Sequence, residues 1–180
     1  MNLVKDKFGK EFYLRKLVES DSGNLGSYFE NLSDVTKNSF QPHALNCKYA
    51  IFLCHRNSDT AERFVLVDFK NNIQGYFILE FGQIEHEAER YKKYGIILNH
   101  DETVYFAPSI SDKHQGSQLA SSVMPFFINR IKNKGIMQMV LLGGTQETNI
   151  LAQNFYLKFG FKKVGGYQTE VWNVDMVLYI

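Results

Sequence analysis

Residues 110–120 read Ile-Ser-Asp-Lys-His-Gln-Gly-Ser-Gln-Leu-Ala, and the rest of the chain is interpreted from this stretch. An apolar run, residues 103–110, leads into it, and an amphipathic run, residues 119–131, follows it. The pattern predicts a strand, a short polar loop and a helix. The first N–H groups of a helix lack intrahelical partners and lie at the positive end of its dipole, so this loop favours a phosphate. Gly116 lets the backbone approach a ligand closely, and Ser117 adds a hydroxyl donor.

The loop matches neither of the two common nucleotide-binding motifs. It lacks the pattern Gly-x-x-x-x-Gly-Lys-Ser/Thr, and no Gly-x-Gly-x-x-Gly follows the predicted strand. Taken alone, residues 115–118 are equally consistent with an ordinary turn between a strand and a helix. Only a second motif, further along the chain, separates the two interpretations.

That second motif is residues 149–161, Asn-Ile-Leu-Ala-Gln-Asn-Phe-Tyr-Leu-Lys-Phe-Gly-Phe. It resembles the signature Asn-x-x-Ala-x-x-(apolar)-Tyr-x-x-x-Gly-Phe of the GNAT superfamily of N-acetyltransferases. Residues 115–120 resemble the same family's loop, [Gln/Arg]-x-x-Gly-x-[Gly/Ala]. The two motifs occur in the family's order with a strand-like run between them. The resemblance covers residues 63–167 well and the N-terminal third only loosely.

The resemblance implies a coenzyme A site and a reaction. Acetyl-CoA is the expected acyl donor, and the expected reaction is direct transfer of its acetyl group to a primary amine of a small molecule. Tyr156 is expected to protonate the leaving thiolate, Asn149 to cap the last helix and contact the cofactor arm, and Ile110 to offer backbone to the pantetheine. The residues expected to bind the cofactor are Ile110, Gln115, Gly116, Ser117, Gln118, Leu119, Ala120, Ser121, Asn149 and Tyr156.

One position of the loop departs from the family pattern. Gln118 stands where the family usually has glycine, so a side chain must be accommodated beside the phosphates. An alternative register, with Gly116 as the family glycine, mismatches both Lys113 and Gln118 and is therefore not preferred.

The general base is not carried over by the resemblance. Many relatives have a glutamate on the central strand, whereas residues 103–111 contain no carboxylate. The candidates are Glu80, near the end of the preceding strand, and Glu102, just before the central strand, with His100 close in sequence. A chain of waters, or an amine that loses its proton in bulk solvent, is an equal alternative. The five histidines are scattered and no pair has ligand spacing, so no metal is predicted.

Hydrophobic periodicity and turn residues predict the remaining elements. The predicted strands are residues 11–18, 63–70, 73–84, 103–110, 136–142, 161–164 and 171–178, with 96–98 also extended. The predicted helices are two within 21–40, capped by Asp21 or Ser22 and by Ser33 and ended before Pro42, then 119–132 and 149–159. Residues 47–55 fit either a helix or a strand, 57–62 and 71–72 are predicted turns, 143–148 a flexible loop, and Gly165-Gly166 the break between the closing strands.

Three further features of the sequence lead to predictions about local structure. Gly75 inside a strand indicates a bulge or a close backbone approach. Pro125 inside a helix predicts a kink. The charged segment 85–94 fits a solvated helix or loop, with a flap that touches the acceptor as the alternative. Together the elements predict an α/β fold with a mixed, mostly antiparallel central sheet flanked by helices. The resemblance adds a splay between the fourth and fifth strands, where the pantetheine arm inserts.

The length, charge and composition of the chain limit the classes of protein to which it can belong. The 180 residues predict a single domain over 1–180, and the net charge of +1 gives no electrostatic case for nucleic acid or an anionic membrane. No apolar run approaches the roughly 20 residues that span a bilayer, and the N-terminus is too charged for a signal peptide. Cys47 and Cys54 match no metal or redox spacing and fit free thiols in the cytoplasm.

Two alternatives to the acetyltransferase remain open. One keeps the fold but uses a longer acyl-CoA or an acyl carrier protein, and the other is a non-catalytic module that binds acyl-CoA. The acceptor is not readable from the chain, and the oligomeric state is open, with a homodimer as one possibility.

Overall fold

Strands and helices are interspersed along the chain, as in a mixed α/β fold. The computed structural model describes residues 1–56 and 58–180. In this part of the chain the strands are β1 (Asn2–Lys5), β2 (Glu11–Lys16), β3 (Ala61–Val67), β4 (Ile73–Phe81), β5 (Thr103–Ile110), β6 (Gln138–Leu141), β7 (Thr145–Gln146), β8 (Lys162–Gln168) and β9 (Trp172–Tyr179). The α-helices are α1 (Ser22–Glu30), α2 (Asp34–Asn38), α3 (Cys47–His55), α4 (Glu85–Lys92), α5 (Leu119–Lys132) and α6 (Ile150–Lys158).

The described strands form one open sheet in the order β1-β2-β3-β4-β5-β6-β9-β7, with β8 paired to β9. The pairs of β1 with β2, β2 with β3, and β9 with β6, β7 and β8 are antiparallel, whereas β5 and β6 are parallel. This confirms the predicted mixed, mostly antiparallel sheet flanked by helices. The ladder of β5 and β6 joins Thr103–Phe106 to Gln138–Leu141. Its last bond runs from Leu142 N–H to the Phe106 carbonyl at 3.0 Å, and β5 continues beyond it to Ile110.

One compact unit consists of Met1–Ile78 and Ala107–Pro125. Its large, fully buried side chains come from β2, α1, β3 and β4 and are Phe12, Leu14, Leu25, Phe29, Leu66, Tyr76 and Phe77. The close approach predicted at Gly75 is present, because a Cβ there would lie 2.8 Å from Ile110 Cδ1 and 3.3 Å from the Ser109 carbonyl oxygen.

Two helices of this unit are capped by side chains at their N-termini. At α2 the Ser33 hydroxyl accepts the Thr36 N–H at 3.3 Å, and at α3 the side-chain carbonyl of Asn46 accepts the Tyr49 N–H at 2.8 Å. The Asn46 cap explains why the ambiguous segment 47–55 is a helix. Asp21 does not cap α1 with its side chain as predicted, because its carboxylate is buried against the Arg15 guanidinium at 2.6 Å.

The other compact unit consists of Leu79–Phe106 and Phe126–Ile180. One face of its strands packs Tyr105, Val140 and Val177 against Tyr91 of α4 and Leu98. In the alternating pattern of a strand, the next residue of β5 points to the opposite face. There the Phe106 ring lies 5.4 Å from the Phe127 ring of α5.

The prediction of 11–18 as the first strand was wrong, because β1 precedes it. β1 pairs with β2 from Asn2 opposite Leu14 to Lys5 opposite Glu11. Its residues Asn-Leu-Val-Lys are mostly exposed, so they carry no hydrophobic alternation that sequence analysis can detect.

The Gly165-Gly166 pair lies inside β8 and does not separate the closing strands as predicted. A bulge falls between Lys163 and Gly165, and a Cβ on Gly165 would overlap the Tyr94 ring. A Cβ on Gly166 would lie 2.6 Å from the Asn173 carbonyl oxygen. These glycines are needed for space rather than for a turn.

Smaller differences concern segments between the strong patterns. Residues 96–98 form no strand in the described structure, and the Ile97 carbonyl instead accepts the Gln138 side-chain amide at 2.8 Å. The predicted turn 57–62 overlaps β3, which begins at Ala61, and Asn57 lies outside the described residues. The predicted loop 143–148 contains β7, paired with β9.

In residues 1–56 and 58–180, no helix has both the length and the apolar composition to cross a membrane. The single domain over residues 1–180 stays a prediction.

Candidate active site

The loop after β5 has a backbone built for close approach of a ligand. A 3-10 turn, Asp112–His114, follows the strand, and α5 begins at Leu119. Between them, Gly116 has a φ of 70° and a Cβ added there would meet nothing within 4 Å. The space beside Gly116 is therefore open.

Gln118, the departure from the family pattern, has a φ of 65°. Side chains other than glycine rarely adopt this left-handed conformation, which costs them about 1–2 kcal/mol. The usual glycine at this position thus has a conformational reason, and Gln118 adopts the same backbone with a side chain. Its carbonyl accepts the Ser122 N–H at 3.0 Å, the first bond of α5.

Three carbonyl groups of the loop accept hydrogen bonds from inside the protein. The His114 carbonyl accepts the Ser117 hydroxyl at 2.6 Å, and the Gly116 carbonyl accepts the Lys7 ammonium at 2.9 Å. The Ser117 carbonyl accepts the Lys7 backbone N–H at 2.9 Å. The N–H groups of residues 119–121, ahead of the first bond of α5, are the donors that a helix start leaves for an anion.

Gln115 and Asp112 attach the loop to α2. The Asp112 carboxylate accepts the Ser33 N–H at 2.8 Å, the Ser33 hydroxyl at 2.7 Å and the Thr36 hydroxyl at 2.6 Å. Partial burial acts to raise the Asp112 pKa, but the hydrogen bonds from Thr36 and Ser33 outweigh it and hold the pKa below its usual value. The Gln115 amide donates to the Thr36 hydroxyl at 2.9 Å. Sequence analysis missed this role of Ser33 and Thr36, which no motif marks.

Asn149 caps the helix that carries Tyr156, as the second motif predicts. The Asn149 side chain accepts the Ala152 N–H at 3.1 Å and caps α6. Tyr156 is 6% exposed, and its ring lies 5.1 Å from Phe155 and 5.3 Å from Phe161. Burial raises the pKa of Tyr156, so its phenol stays protonated at neutral pH and is a weaker acid than an exposed tyrosine.

The two candidate bases occupy different surroundings. Glu80 lies in β4 and is half-buried. Glu102 is exposed at the start of β5, accepts the Asn99 side-chain amide at 2.8 Å, and lies at the opposite end of this strand from the loop. His100 is exposed, and its Nδ1 is 2.8 Å from the Asp101 carboxylate. Among the described side chains, no group of three His, Cys, Asp or Glu is placed to hold a metal ion.

A buried charged cluster in the second unit was not predicted. The Arg90 guanidinium donates to Asp175 at 2.7 and 3.0 Å and to Glu87 at 2.6 Å. It also lies 3.9 Å above the centre of the Tyr167 ring, whose hydroxyl donates to the Gly143 carbonyl at 2.6 Å.

The segment 85–94 forms a helix over Glu85–Lys92, one of the two expected forms, and residues 85, 86, 89, 92 and 93 are exposed. The cluster shows that its other face is buried. Glu87 and Tyr91 are almost fully buried, so α4 covers a sheet face rather than lying free in solvent. Burial raises the pKa of Glu87, against the lowering effect of Arg90. Asp175, a charged residue inside an apolar strand, is the sequence signal that could have indicated a buried partner.

Comparison with known proteins identifies the family. The model of the Acetyltransferase (GNAT) family matches residues 29–161, which is most of the chain. The chain therefore belongs to the GNAT acetyltransferase family, as the two motifs predicted. No curated protein sequence matches the chain.

Solved structures share the fold at low sequence identity. The GNAT domain of S. lividans PAT has a TM-score of 0.76 and 14% identity, over 99% of this chain and 96% of that chain. A GNAT-family acetyltransferase from Streptococcus pneumoniae has a TM-score of 0.68 and 15% identity, over 94% and 99%. Spermidine N-acetyltransferase from Vibrio cholerae, solved in complex with CoA and spermine, has a TM-score of 0.67 and 16% identity, over 93% and 95%. These similarities establish the fold.

Proposed function

We propose that the chain is an acetyl-CoA-dependent N-acetyltransferase that acts on a primary amine of a small molecule. The observation that carries the proposal is the loop after β5, where the His114, Gly116 and Ser117 carbonyls bond within the protein and α5 begins directly after the loop. The first N–H groups of a helix are the donors that favour an anion. Membership of an acetyltransferase family supports the same conclusion.

The loop fits the diphosphate of coenzyme A. The N–H groups of residues 119–121 supply donors, and the open space beside Gly116 lets the diphosphate approach the backbone. The backbone of Ile110, at the end of β5, would bind the pantetheine. Acetyl-CoA supplies the acetyl group as an activated thioester.

Transfer requires a neutral amine, a donor to the oxyanion and a proton for the leaving sulfur. The amine lone pair forms a bond to the carbonyl carbon, the carbon–sulfur bond breaks, and the amine gives up a proton. We assign the proton donor to Tyr156, because it holds the place of the family's tyrosine in the motif of residues 149–161. Glu80 and Glu102 remain the candidate bases, with a water relay as the third route.

Two alternatives make different predictions. An enzyme with a longer acyl-CoA or an acyl carrier protein as donor would turn over that donor faster than acetyl-CoA. A non-catalytic module would bind acyl-CoA without turnover. The absence of a carboxylate within residues 103–111 is the feature that favours the latter.

The test is release of the coenzyme A thiol from acetyl-CoA with a panel of amines that includes spermidine, an aminoglycoside and amino acids. The proposal expects amine-dependent thiol release and a product heavier by one acetyl group. If the protein binds coenzyme A but turns over no acyl donor, the transferase proposal is wrong and the non-catalytic binding module takes its place. Faster turnover of longer donors would change the acyl group but not the reaction class.

The base is assigned by the pH profile of two matched variants, Glu80→Gln and Glu102→Gln. Loss of the acidic limb of the kcat/KM profile in one variant identifies it as the base. If the acidic limb is unchanged in both variants, water takes the proton that the amine loses.

A further inference from the structure

The tip of the N-terminal hairpin is a preorganised turn. Between β1 and β2, one oxygen of the nearly buried Asp6 carboxylate accepts the N–H groups of Phe8 and Lys10, each at 2.9 Å. Asp6 and Lys10 also share a backbone bond of 3.0 Å, and Gly9 provides a left-handed residue with a φ of 82°. The position of Lys7 in this turn is therefore well defined.

Lys7 makes two hydrogen bonds to the loop after β5. Its backbone N–H donates to the Ser117 carbonyl, and its ammonium donates to the Gly116 carbonyl, both at 2.9 Å. His114 strengthens the same junction, because its buried ring packs edge-on against Phe12 of β2 with 5.1 Å between ring centres.

The bond to the Ser117 carbonyl sets the direction of one loop N–H group. In a trans peptide the C=O of one residue and the N–H of the next point in opposite directions. Because the Ser117 carbonyl points toward Lys7, the N–H of Gln118 points away from it. Lys7 thus holds one peptide unit in the orientation that presents a donor on the other side of the loop.

Charged groups of both signs surround the junction. Lys7 contacts the loop directly, and Lys10 and Lys113 both lie close enough to His114 to act with burial in lowering its pKa. Asp6 and Asp68 act in the opposite direction.

We infer that Lys7 is a positioning residue of the coenzyme A site, which fixes the phosphate-binding loop and adds positive charge to it. The N-terminal hairpin then belongs to the cofactor site, although it lies before the segment that matches the family. The inference rests on the proposed function.

The experiment measures coenzyme A affinity by calorimetry for Lys7→Ala and Lys7→Arg. Lys5→Ala is the matched control, because Lys5 lies in the same hairpin and forms an exposed ion pair with Glu11 at 3.0 Å. Loss of a charge-assisted bond predicts about a tenfold weaker Kd for Lys7→Ala. Lys7→Arg should recover most of this loss, and Lys5→Ala should match the wild type.

Two readouts separate positioning of the phosphates from a general effect on folding. Lys7→Ala should show a smaller dependence of Kd on salt concentration, because one charge has been removed. With acetyl-CoA its KM should rise while kcat stays the same, and with S-acetylpantetheine, which lacks the diphosphate, kcat/KM should not change.

The outcomes distinguish the inference from the proposed function. If the wild-type protein binds no coenzyme A, both fail. If it binds coenzyme A and Lys7→Ala binds it as tightly as Lys5→Ala does, only the role of Lys7 is wrong. Equal losses with acetyl-CoA and S-acetylpantetheine would also overturn that role, because they would show a general structural effect.

Discussion

Replacement of Arg90 by methionine should destabilise the protein strongly at neutral pH. The guanidinium makes three bonds of 2.6 to 3.0 Å to the carboxylates of Glu87 and Asp175. The side chains of these two acids are 2% and 0% exposed, so Arg90→Met removes the guanidinium that neutralises two buried carboxylates. Removal of one partner from such a buried pair costs about 3–5 kcal/mol. A domain's total free energy of unfolding is only about 5–15 kcal/mol.

The loss should depend on pH with a definite sign. Burial raises the Glu87 pKa above its unfolded value even with Arg90 present. A group of this kind contributes stability that is fully present below its unfolded pKa and is lost as pH rises through its folded pKa. Without Arg90 the folded pKa rises further, because an effect that lowers it is gone. The difference between Arg90→Met and wild type should therefore be largest near pH 8 and should shrink toward pH 5.

The assay is urea unfolding followed by circular dichroism at pH 5, 6.5 and 8. Lys92→Met is the matched control, since Lys92 lies exposed on the same helix. The control should change the free energy of unfolding by less than about 0.5 kcal/mol. A loss below about 1 kcal/mol for Arg90→Met, within the range of exposed ion pairs, or a loss that does not change with pH, would refute the reasoning.

Three other predictions concern the site itself. Gln118→Gly should keep or improve stability and coenzyme A affinity, because glycine relieves a left-handed strain of about 1 kcal/mol. Gln118→Ala keeps that strain. A large loss of affinity in both variants, measured by calorimetry, would show that the glutamine makes a necessary contact. Tyr156→Phe should lower kcat about 10²-fold or more and leave coenzyme A affinity nearly unchanged, as expected for loss of a proton donor; retained turnover per bound complex would remove that role. Asp112→Asn should lower the melting temperature at pH 7 and have less effect as pH falls through the acid range. The reason is that the lowered Asp112 pKa gives a contribution to folding stability that is present at neutral pH and lost when the carboxylate is protonated. An effect independent of pH would contradict this.

The parts of the molecule with strong local patterns were predictable. The apolar spacing from Leu119 to Ile131 predicted α5 with its observed bounds, because its first turn follows a loop and its last turn precedes Gly135. Tyr156 was assigned to the last helix from the pattern around it, and Asn149 was placed at the helix start because its side chain suits a cap.

Long-range contacts account for what was missed. Lys7 meets Gly116 across more than one hundred residues of chain, and no local pattern records such a pair. The packing of Gly165 against the Tyr94 ring likewise depends on elements far apart in sequence, so the glycine was misread as a turn residue. Gln118 was recognised as unusual, but its left-handed φ became visible only in the structure.

A crystal structure of the protein grown with coenzyme A tests the central claim most directly. The account predicts the diphosphate against the N–H groups of residues 119–121, beside Gly116, with the Gly116 and Ser117 carbonyls still bound to Lys7. A diphosphate bound elsewhere on the chain, with these N–H groups facing solvent, would contradict it.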